Sequence, residues 1–474
     1  MKNNFTSDLE QNPIFRIVAD TASELGLEGY VVGGYVRDLV LRRPCKDIDF
    51  VCVGSGIAWA ERVGAKLKQP VTVFKNYGTA MIKHEGFELE FVGARKESYR
   101  QESRKPIVED GTLEEDQLRR DFTMNALAIS LHGANYGALL DPFGGMEDIR
   151  EGMIKTPLDP AITFSDDPLR MMRAVRFASQ LTFDIDPDTF QAILNHNERL
   201  KIVSMERVID ETNKIILSAV PSYGFKLLFH SGLLKQFFPE MVALQGVEYI
   251  DSKAHKDNFY HTLQVLDNLS KVSDDLWLRW AAILHDIAKP LTKRFEPKQG
   301  WTFHGHEDKG ARMVPGIFRR LKLPMNEKMT FVQKLVRLHL RPIVLAYDVT
   351  DSAVRRLLFE AGEETESLMK LCRADITSKN PEKVKKYLAN FERVEQKMEE
   401  VEAKDHVRKF QPPVTGDEII RMLHLPPGPI IGEIKERIKD AILEGEIRND
   451  REEALVLLLK IARSKGINSL EINK

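Results

Sequence analysis

Residues 30–53, YVVGGYVRDLVLRRPCKDIDFVCV, hold a strand, a turn, a helix and a second strand in quick succession. The apolar run Tyr30–Val32 enters Gly33-Gly34, and a helix-compatible stretch with Arg37 and Asp38 follows. Paired glycines let a backbone approach a ligand closely, and N–H groups at a helix start suit a phosphate. Alone, such a turn is more often a plain structural one. Asp47 and Asp49 change that weighting. In a β-strand, residues two apart share a face, so with Asp47 at the start of the run Ile48–Val53 both carboxylates project together while Ile48, Phe50 and Cys52 point the other way. Like charges side by side repel, and a strand has little use for them without a cation. Hard oxygen ligands at this spacing suit Mg²⁺ with phosphate oxygens completing its shell. Glu90, on FELEF, offers a third carboxylate or is simply an exposed partner of Glu88.

Outward from this stretch, Val71–Phe74, Ala80–Lys83 and Phe87–Val92 also read as strands, making the first ~150 residues α/β. Past residue 160, segments such as Pro168–Leu181 and Ser204–Leu217 show apolar residues at helical spacing, with Pro157 and Pro160 as breakers at the change. The chain has 474 residues, 43% hydrophobic and 30% charged, so it carries several domains and ample apolar surface to bury. No run approaches the ~18 apolar residues of a membrane span. The N-terminus shows no signal peptide, and the three cysteines (Cys45, Cys52, Cys372) form no CxxC pair, which fits a reducing cytoplasm. Its 69 basic residues nearly cancel 71 acidic ones, so a nucleic-acid site must be a local patch.

Further motifs follow in order: Arg119-Arg120-Asp121-Phe122-Thr123-Met124-Asn125-Ala126, Asp141-Pro142-Phe143-Gly144-Gly145 with Asp148, Asp166-Asp167-Pro168-Leu169-Arg170-Met171-Met172-Arg173-Ala174, and Glu206-Arg207. With GGYVRD…DIDF they resemble the class II tRNA nucleotidyltransferases (CCA-adding enzymes) and bacterial poly(A) polymerases. The resemblance implies that Asp47 and Asp49 hold two Mg²⁺, that Gly33, Gly34 and Arg37 hold the triphosphate, and that Arg120, Asp121 and Asn125 bind nucleotide and ribose. It further implies that Asp167 and Arg170 select the base, with Arg173 beside them. One helical turn apart, that acceptor and that fork of donors would share a face and read the edge of C or A; by themselves they equally suit an intrahelical ion pair. Two departures stand out: Asp166 where the family has Glu, and Arg42-Arg43 where it has a small residue.

His261, His285-Asp286, His306, His339 and Asp375 lie on predicted helices or helix ends. Imidazole with carboxylate binds divalent metals. The pattern resembles the HD phosphohydrolase superfamily, in which His306 and His339 would serve a second ion; a vestigial helical body is the alternative. Lys289–Lys322 is basic and interleaved with Trp301, Phe303 and Phe318, as an RNA-contacting surface or a solvated face would be.

The expectation is an α/β head (polymerase β-like) over 1–155, a helical neck over 156–220, an HD-type body over 221–410 and a helical tail over 411–474. Such a protein would be cytoplasmic, without membrane attachment, and would add CMP and AMP to the tRNA 3′ end from CTP and ATP. Within the family, an A-adding enzyme or poly(A) polymerase is the alternative, decided partly in a head loop within 93–115 that includes Arg95, Arg100, Arg104 and Lys105. From other classes, the alternatives are an HD phosphohydrolase with a non-catalytic head and an RNA-binding scaffold.

Overall fold

The computed structural model describes residues 4–75, 78–100, 103–250, 253–345, 350–378, 380–405 and 413–467. Contacts divide the chain into two compact units, Met1–Pro239 and Glu240–Lys474.

The first unit begins with α1 (Pro13–Glu24), capped by the Asn12 side chain, which accepts from the Ile14 N–H. There follow β1 (Glu28–Val32), α2 (Gly34–Val40), β2 (Asp47–Val53), α3 (Gly56–Leu67), β3 (Val71–Phe74), β4 (Thr79–His84) and β5 (Phe87–Gly93). A hairpin of β6 (Arg95–Arg100) and β7 (Ser103–Asp110) stands where the sequence predicts a loop. Its turn residues 101 and 102, and the side chains of Arg100, Arg104 and Lys105, lie outside the described residues. After α4 (Leu113–Leu118), β8 (Ala128–Ser130) and β9 (Leu139–Leu140) complete a seven-stranded sheet in the order β3-β4-β5-β2-β1-β8-β9. β2 and β5 run parallel, whereas β1 is antiparallel to both β2 and β8.

An aromatic core sits under the sheet. Phe50 and Phe91 stack with centroids 5.0 Å apart, Trp59 meets them edge-on at 5.9 and 5.3 Å, and Phe15 lies 6.0 Å from Phe50. All four are fully buried. Truncating a ring so placed costs about 3–5 kcal/mol. Because Ile48, Phe50 and Cys52 are committed to this core, the period of two sends Asp47 and Asp49 to the other face.

The neck helices include α5 (Pro160–Asp166), α6 (Leu169–Leu181), α7 (Met205–Ile216) and α8 (Pro221–His230), with a further helix, Pro187–His196, between α6 and α7. Ten of the 13 residues of α6 are buried, so it is the spine on which α7 and α8 pack. Although α8 lies past residue 220, it belongs to this first unit. The single helix expected to carry both Asp167 and Arg170 is divided at Pro168, where Asp167 is extended (φ −135°, ψ 101°) and α6 begins at Leu169. Proline disfavours helical backbone in the residue before it. Asp167 therefore stands at the joint, and its carboxylate accepts from the Leu169 N–H at 3.1 Å.

The second unit contains α9 (Asn258–Ser270), α10 (Leu276–Leu284), α11 (Lys289–Thr292), a short hairpin of Arg294–Glu296 with Gly300–Thr302, α12 (His306–Arg320), α13 (Glu327–Leu338) and α14 (Thr365–Ala374). Asp257 and Asp275 cap α9 and α10, each accepting two N–H groups. α10 packs on α9 and α13, α12 on α13, and α9 on α14. Phe318, expected on a basic surface, is fully buried. Helices Gly416–Leu423, Pro429–Glu444 and Arg451–Ser464 gather around Ile419, Ile434, Ile438 and Leu458. Among the described residues no helix is long and apolar enough to cross a membrane.

Candidate functional site

In the head, sheet register assembles the carboxylates. Asp47 lies opposite Glu88 and Asp49 opposite Glu90, while Val32, at the end of β1, pairs with Asp49. The glycine turn therefore opens directly beside Asp49. Gly33 has φ +74°, and a Cβ there would sit 2.9 Å from Arg120 Nη1 and 3.4 Å from Asp49 Oδ2, a space that only glycine leaves open. Burial raises the Asp49 carboxyl above its usual range; Arg120 pulls it down, and the charges of Asp47 and Asp116 push it up again. Burial and the Asp49 charge raise Glu90 as well. A desolvated carboxylate among carboxylates, in a cleft held open by glycine, fits a divalent cation.

Asp116 was not singled out in the sequence. It is fully buried and binds Arg119 at 2.6 Å and Arg120 at 3.0 Å, which fixes the Arg120 guanidinium beside Gly33. Burial would raise its carboxyl, but the two guanidinium groups hold it below the ordinary range. The i, i+3 and i+4 spacing to the two arginines was the available signal.

A chain of polar bonds links this cleft to the neck. Arg37 donates Nε and Nη2 to Asp38 at 3.0 and 2.9 Å, and Nη1 to Asn125 Oδ1 at 2.8 Å. Asn125 Nδ2 in turn donates to Asp121 Oδ1 at 3.0 Å. Asp121 also accepts from its neighbour's N–H, Phe122, at 2.9 Å, and from Arg173 Nε at 2.7 Å. Burial opposes its ionisation, but Arg173 and Asn125 hold its pKa down at about 2. Arg37, Arg173 and Arg176 all flank the Phe177 ring, at 4.9, 5.4 and 3.8 Å from its centroid. Arg170 Nη2 donates to the Arg119 carbonyl at 2.7 Å, and Asp167 faces Arg207 at 3.9 Å. The Arg42-Arg43 departure has a place here: Arg42 is left-handed (φ 55°), and Arg43 Nη1 donates to the Gln180 carbonyl of α6 at 3.2 Å.

In the second unit the predicted histidines and aspartates converge. Asp286 Oδ2 lies 3.2 Å from His285 Nε2 and 3.5 Å from His261 Nε2, and Asp286 Oδ1 lies 3.2 Å from His306 Nε2 and 3.9 Å from His339 Nε2. Asp375 Oδ1 lies 2.9 Å from His261 Nε2. His285, His306 and His339 point Nδ1 at the carbonyls of Ala282, Phe303 and Val336, at 2.7, 2.8 and 2.7 Å. Donation from Nδ1 leaves each Nε2 lone pair aimed inward. His285 Nε2 is buried and, with Asp286 Oδ2 3.2 Å away, makes no well-aligned hydrogen bond, which fits a metal ligand. His261-His285-Asp286 and Asp286-His306-His339 each bring three ligand atoms within 4.8 Å of one another, so Asp286 is common to two ligand sets. Burial pushes His261 down and His339 down to about 3, whereas at His285 burial is overcome by the combined pull of Asp286 and Asp375, and the ring is raised. Against burial, His285 and Lys289 hold Asp286 well below the carboxylate range. Lys289 Nζ, 2.6 Å from Asp286 Oδ2, is the residue overlooked here; three places after Asp286, it was within sight of it.

The head and its joined helical body define a nucleotidyltransferase with an appended HD domain. The Poly A polymerase head domain matches residues 29–155, the probable RNA and SrmB-binding site of polymerase A matches 182–244, and the HD domain matches 258–380. The chain is 33% identical to the Multifunctional CCA protein of Nitrosococcus oceani over 364 residues, covering 74% of this chain and 84% of that protein. It is 30% identical to the CCA-adding enzyme of a Geobacillus species over 438 residues, covering 92% and 93%. The crystal structure of the Bacillus stearothermophilus CCA-adding enzyme in complex with CTP superposes with a TM-score of 0.67 at 25% identity, covering 96% of this chain and 99% of that one. This chain belongs to the CCA-adding enzyme family of tRNA nucleotidyltransferases. Enzymes of this family are metal-dependent.

Proposed function

We propose that this protein, in the cytoplasm, completes the 3′ end of tRNA by adding CMP and AMP from CTP and ATP, with two Mg²⁺ held by Asp47 and Asp49. The carrying observation is the pairing of Asp47 and Asp49 on one face of β2, beside the gap that Gly33 leaves under Arg120. In the reaction the RNA 3′-oxygen bonds to the α-phosphorus, the bond to the bridging oxygen breaks, pyrophosphate leaves and the hydroxyl proton passes to water. Bound Mg²⁺ supplies charge stabilisation for the attacking and leaving oxygens. In this proposal Gly33, Gly34 and Arg37 hold the triphosphate, Arg37 exchanging its bonds to Asp38 and Asn125 for phosphate, Arg120 contacts the nucleotide, and Glu90, in register with Asp49, is a further carboxylate. Incubation with tRNA lacking its terminal nucleotides, and with each NTP separately, tests this reading: CTP then ATP should be incorporated, whereas ATP alone on every acceptor would mark an A-adding enzyme.

Base choice is assigned to Asp167 and Arg170, now across a helix joint and braced by Arg207 and the Arg119 carbonyl. Removing a donor from a site that hydrogen-bonds a base edge leaves its partner unpaired. Arg170→Ala is expected to admit UTP or GTP, or to lose CTP and ATP together; unchanged rate and selectivity would leave Arg170 a structural bond to Arg119.

Asp121 and Arg173 act in this proposal as positioning residues, since Asp121 already accepts from Phe122, Asn125 and Arg173. Arg173→Ala strands a buried carboxylate, at a cost on the order of 3 kcal/mol. Thermal melting should fall by several degrees and CTP and ATP incorporation should decline together. Loss of one nucleotide alone, without a change in melting, would instead mean direct base contact.

The histidine–aspartate cluster is proposed to bind divalent metal and hydrolyse phosphomonoesters or 2′,3′-cyclic phosphates, in which water bonds to phosphorus and the ester oxygen leaves with a proton. The support is its buried, inward-aimed Nε2 set gathered around the Asp286 carboxylate.

A further inference from the structure

α12 carries a cationic stripe along its solvent face. Lys309, Arg312, Arg319 and Arg320 are exposed on one side of the helix, opposite the buried Gly310, Val314, Ile317 and Phe318. Lys322, also exposed, continues the row past the helix end. From Lys309 to Arg319 the stripe runs about 15 Å at 1.5 Å per residue, long enough to meet more than one phosphate of a strand. Asp308, the exposed carboxylate of this helix, is taken by Arg337 of α13 at 3.2 Å, and Arg320 pairs with Glu240 at 2.5 Å. Among the described residues no carboxylate pairs with Lys309, Arg312, Arg319 or Lys322. Lys309 and Arg312 each give one N–H to a backbone carbonyl, of Leu291 and Asp308, and keep others for a ligand. The helix macrodipole accounts for cations in the last turn, but not for Lys309 and Arg312 nearer its positive end. In a chain whose net charge is −2, such a face is the local form that a nucleic-acid site must take.

Pro315-Gly316 interrupts this helix in its middle, where proline costs about 3 kcal/mol and glycine about 1 kcal/mol relative to alanine. Pro315 withdraws the N–H that would bond the Ala311 carbonyl, and Gln333 Nε2 of α13 donates to that carbonyl instead, at 2.8 Å. The break is therefore compensated within the fold. Gly316 is exposed, and a Cβ there would meet nothing within 4 Å, so no packing demands glycine. Its effect is on the stripe: between Arg312 and Arg319 it leaves a gap with no side chain, where another backbone can press close. Single strands are held by stacking on exposed aromatic rings, but Phe318 of this helix is fully buried. Cations without exposed rings suit a double helix, met through its backbone and shape rather than its bases.

We propose that the outer face of α12 is a docking surface for duplex RNA, namely a helical arm of the tRNA whose 3′ end is extended. Arg312 and Arg319 each take a phosphate, Lys309 and Lys322 flank them, and Gly316 admits the sugar–phosphate backbone between. The proposal rests on the reading of tRNA as the acceptor.

The test is fluorescence anisotropy on the full-length chain across a salt series. Its probes are tRNA lacking its terminal nucleotides, a short RNA duplex and single-stranded oligouridylate. Arg312→Gln with Arg319→Gln should weaken tRNA and duplex binding about 10-fold and flatten the slope of log K against log salt by about 2, one unit per lost phosphate contact. Gly316→Leu changes no charge and suits a helix better, so melting should hold or rise, yet tRNA and duplex binding should still weaken. In nucleotide addition, both variants should raise KM for tRNA while KM for CTP and the rate at saturating tRNA stay unchanged. Wild-type tRNA affinity in either variant overturns the surface. So does an unchanged salt slope in the arginine variant, or a loss confined to oligouridylate. Binding that depends on these residues in a wild type that adds no nucleotide upholds the surface and overturns the addition reading alone.

Discussion

Asp47→Ala or Asp49→Ala is expected to abolish nucleotide incorporation while leaving the fold intact. Asp47 is exposed, and the Asp49 carboxyl is raised by burial and by like charge, so neither adds to stability in the absence of a cation. At Asp49 alanine removes a desolvated charge and its repulsion from Asp47 and Asp116 along with its attraction to Arg120, so melting should change little. The chemical step is another matter. Losing metal-held charge stabilisation forfeits several kcal/mol in the transition state, about 10³-fold or more in rate. Single-turnover incorporation on tRNA lacking its terminal nucleotides, measured beside a melting curve, checks both halves. A rate within ~10-fold of wild type in either variant would sink the assignment.

The second large effect concerns the other unit. His285→Ala combined with Asp286→Asn should eliminate bound metal and all hydrolysis of 2′,3′-cyclic AMP and p-nitrophenyl phosphate with Mg²⁺, Mn²⁺, Ni²⁺ or Co²⁺. Asp286 reaches His261, His285, His306 and His339, so its loss removes the group shared by both candidate ligand sets. Asparagine is chosen over alanine because it retains an oxygen for Lys289, now 2.6 Å from the carboxylate. Nucleotide addition should persist, because the head's carboxylates belong to a separately packed unit. Wild-type protein with neither bound metal nor turnover under any of these ions would make the histidines structural.

Strand geometry is local, which is why much of the head was legible. Period-two alternation alone put Asp47 and Asp49 together, and β3 and β5 begin where their alternation predicts. Other elements lacked such a signal. β8 is a three-residue strand buried on both faces, without alternation to betray it, and the β6–β7 hairpin is too polar to read as strand. Pro168 could have warned that Asp167 and Arg170 do not share a helix, but the spacing of the surrounding apolar residues outweighed it.

Spacing along the chain thus determined which residue types could act together: the strand aspartates, the ordered arginine and asparagine motifs, and the histidines at helix ends. Partnership across 50 or more residues was decided only by packing. Asp121 meets Arg173 52 positions away, and His261 meets Thr377 116 positions away. Burial then settles what these groups do, since a carboxylate removed from water is raised when like charges surround it, as at Asp49, and lowered when guanidinium groups enclose it, as at Asp116. Sequence lists the charges; the dielectric around each one and the sign of its neighbours exist only once the chain has closed around it.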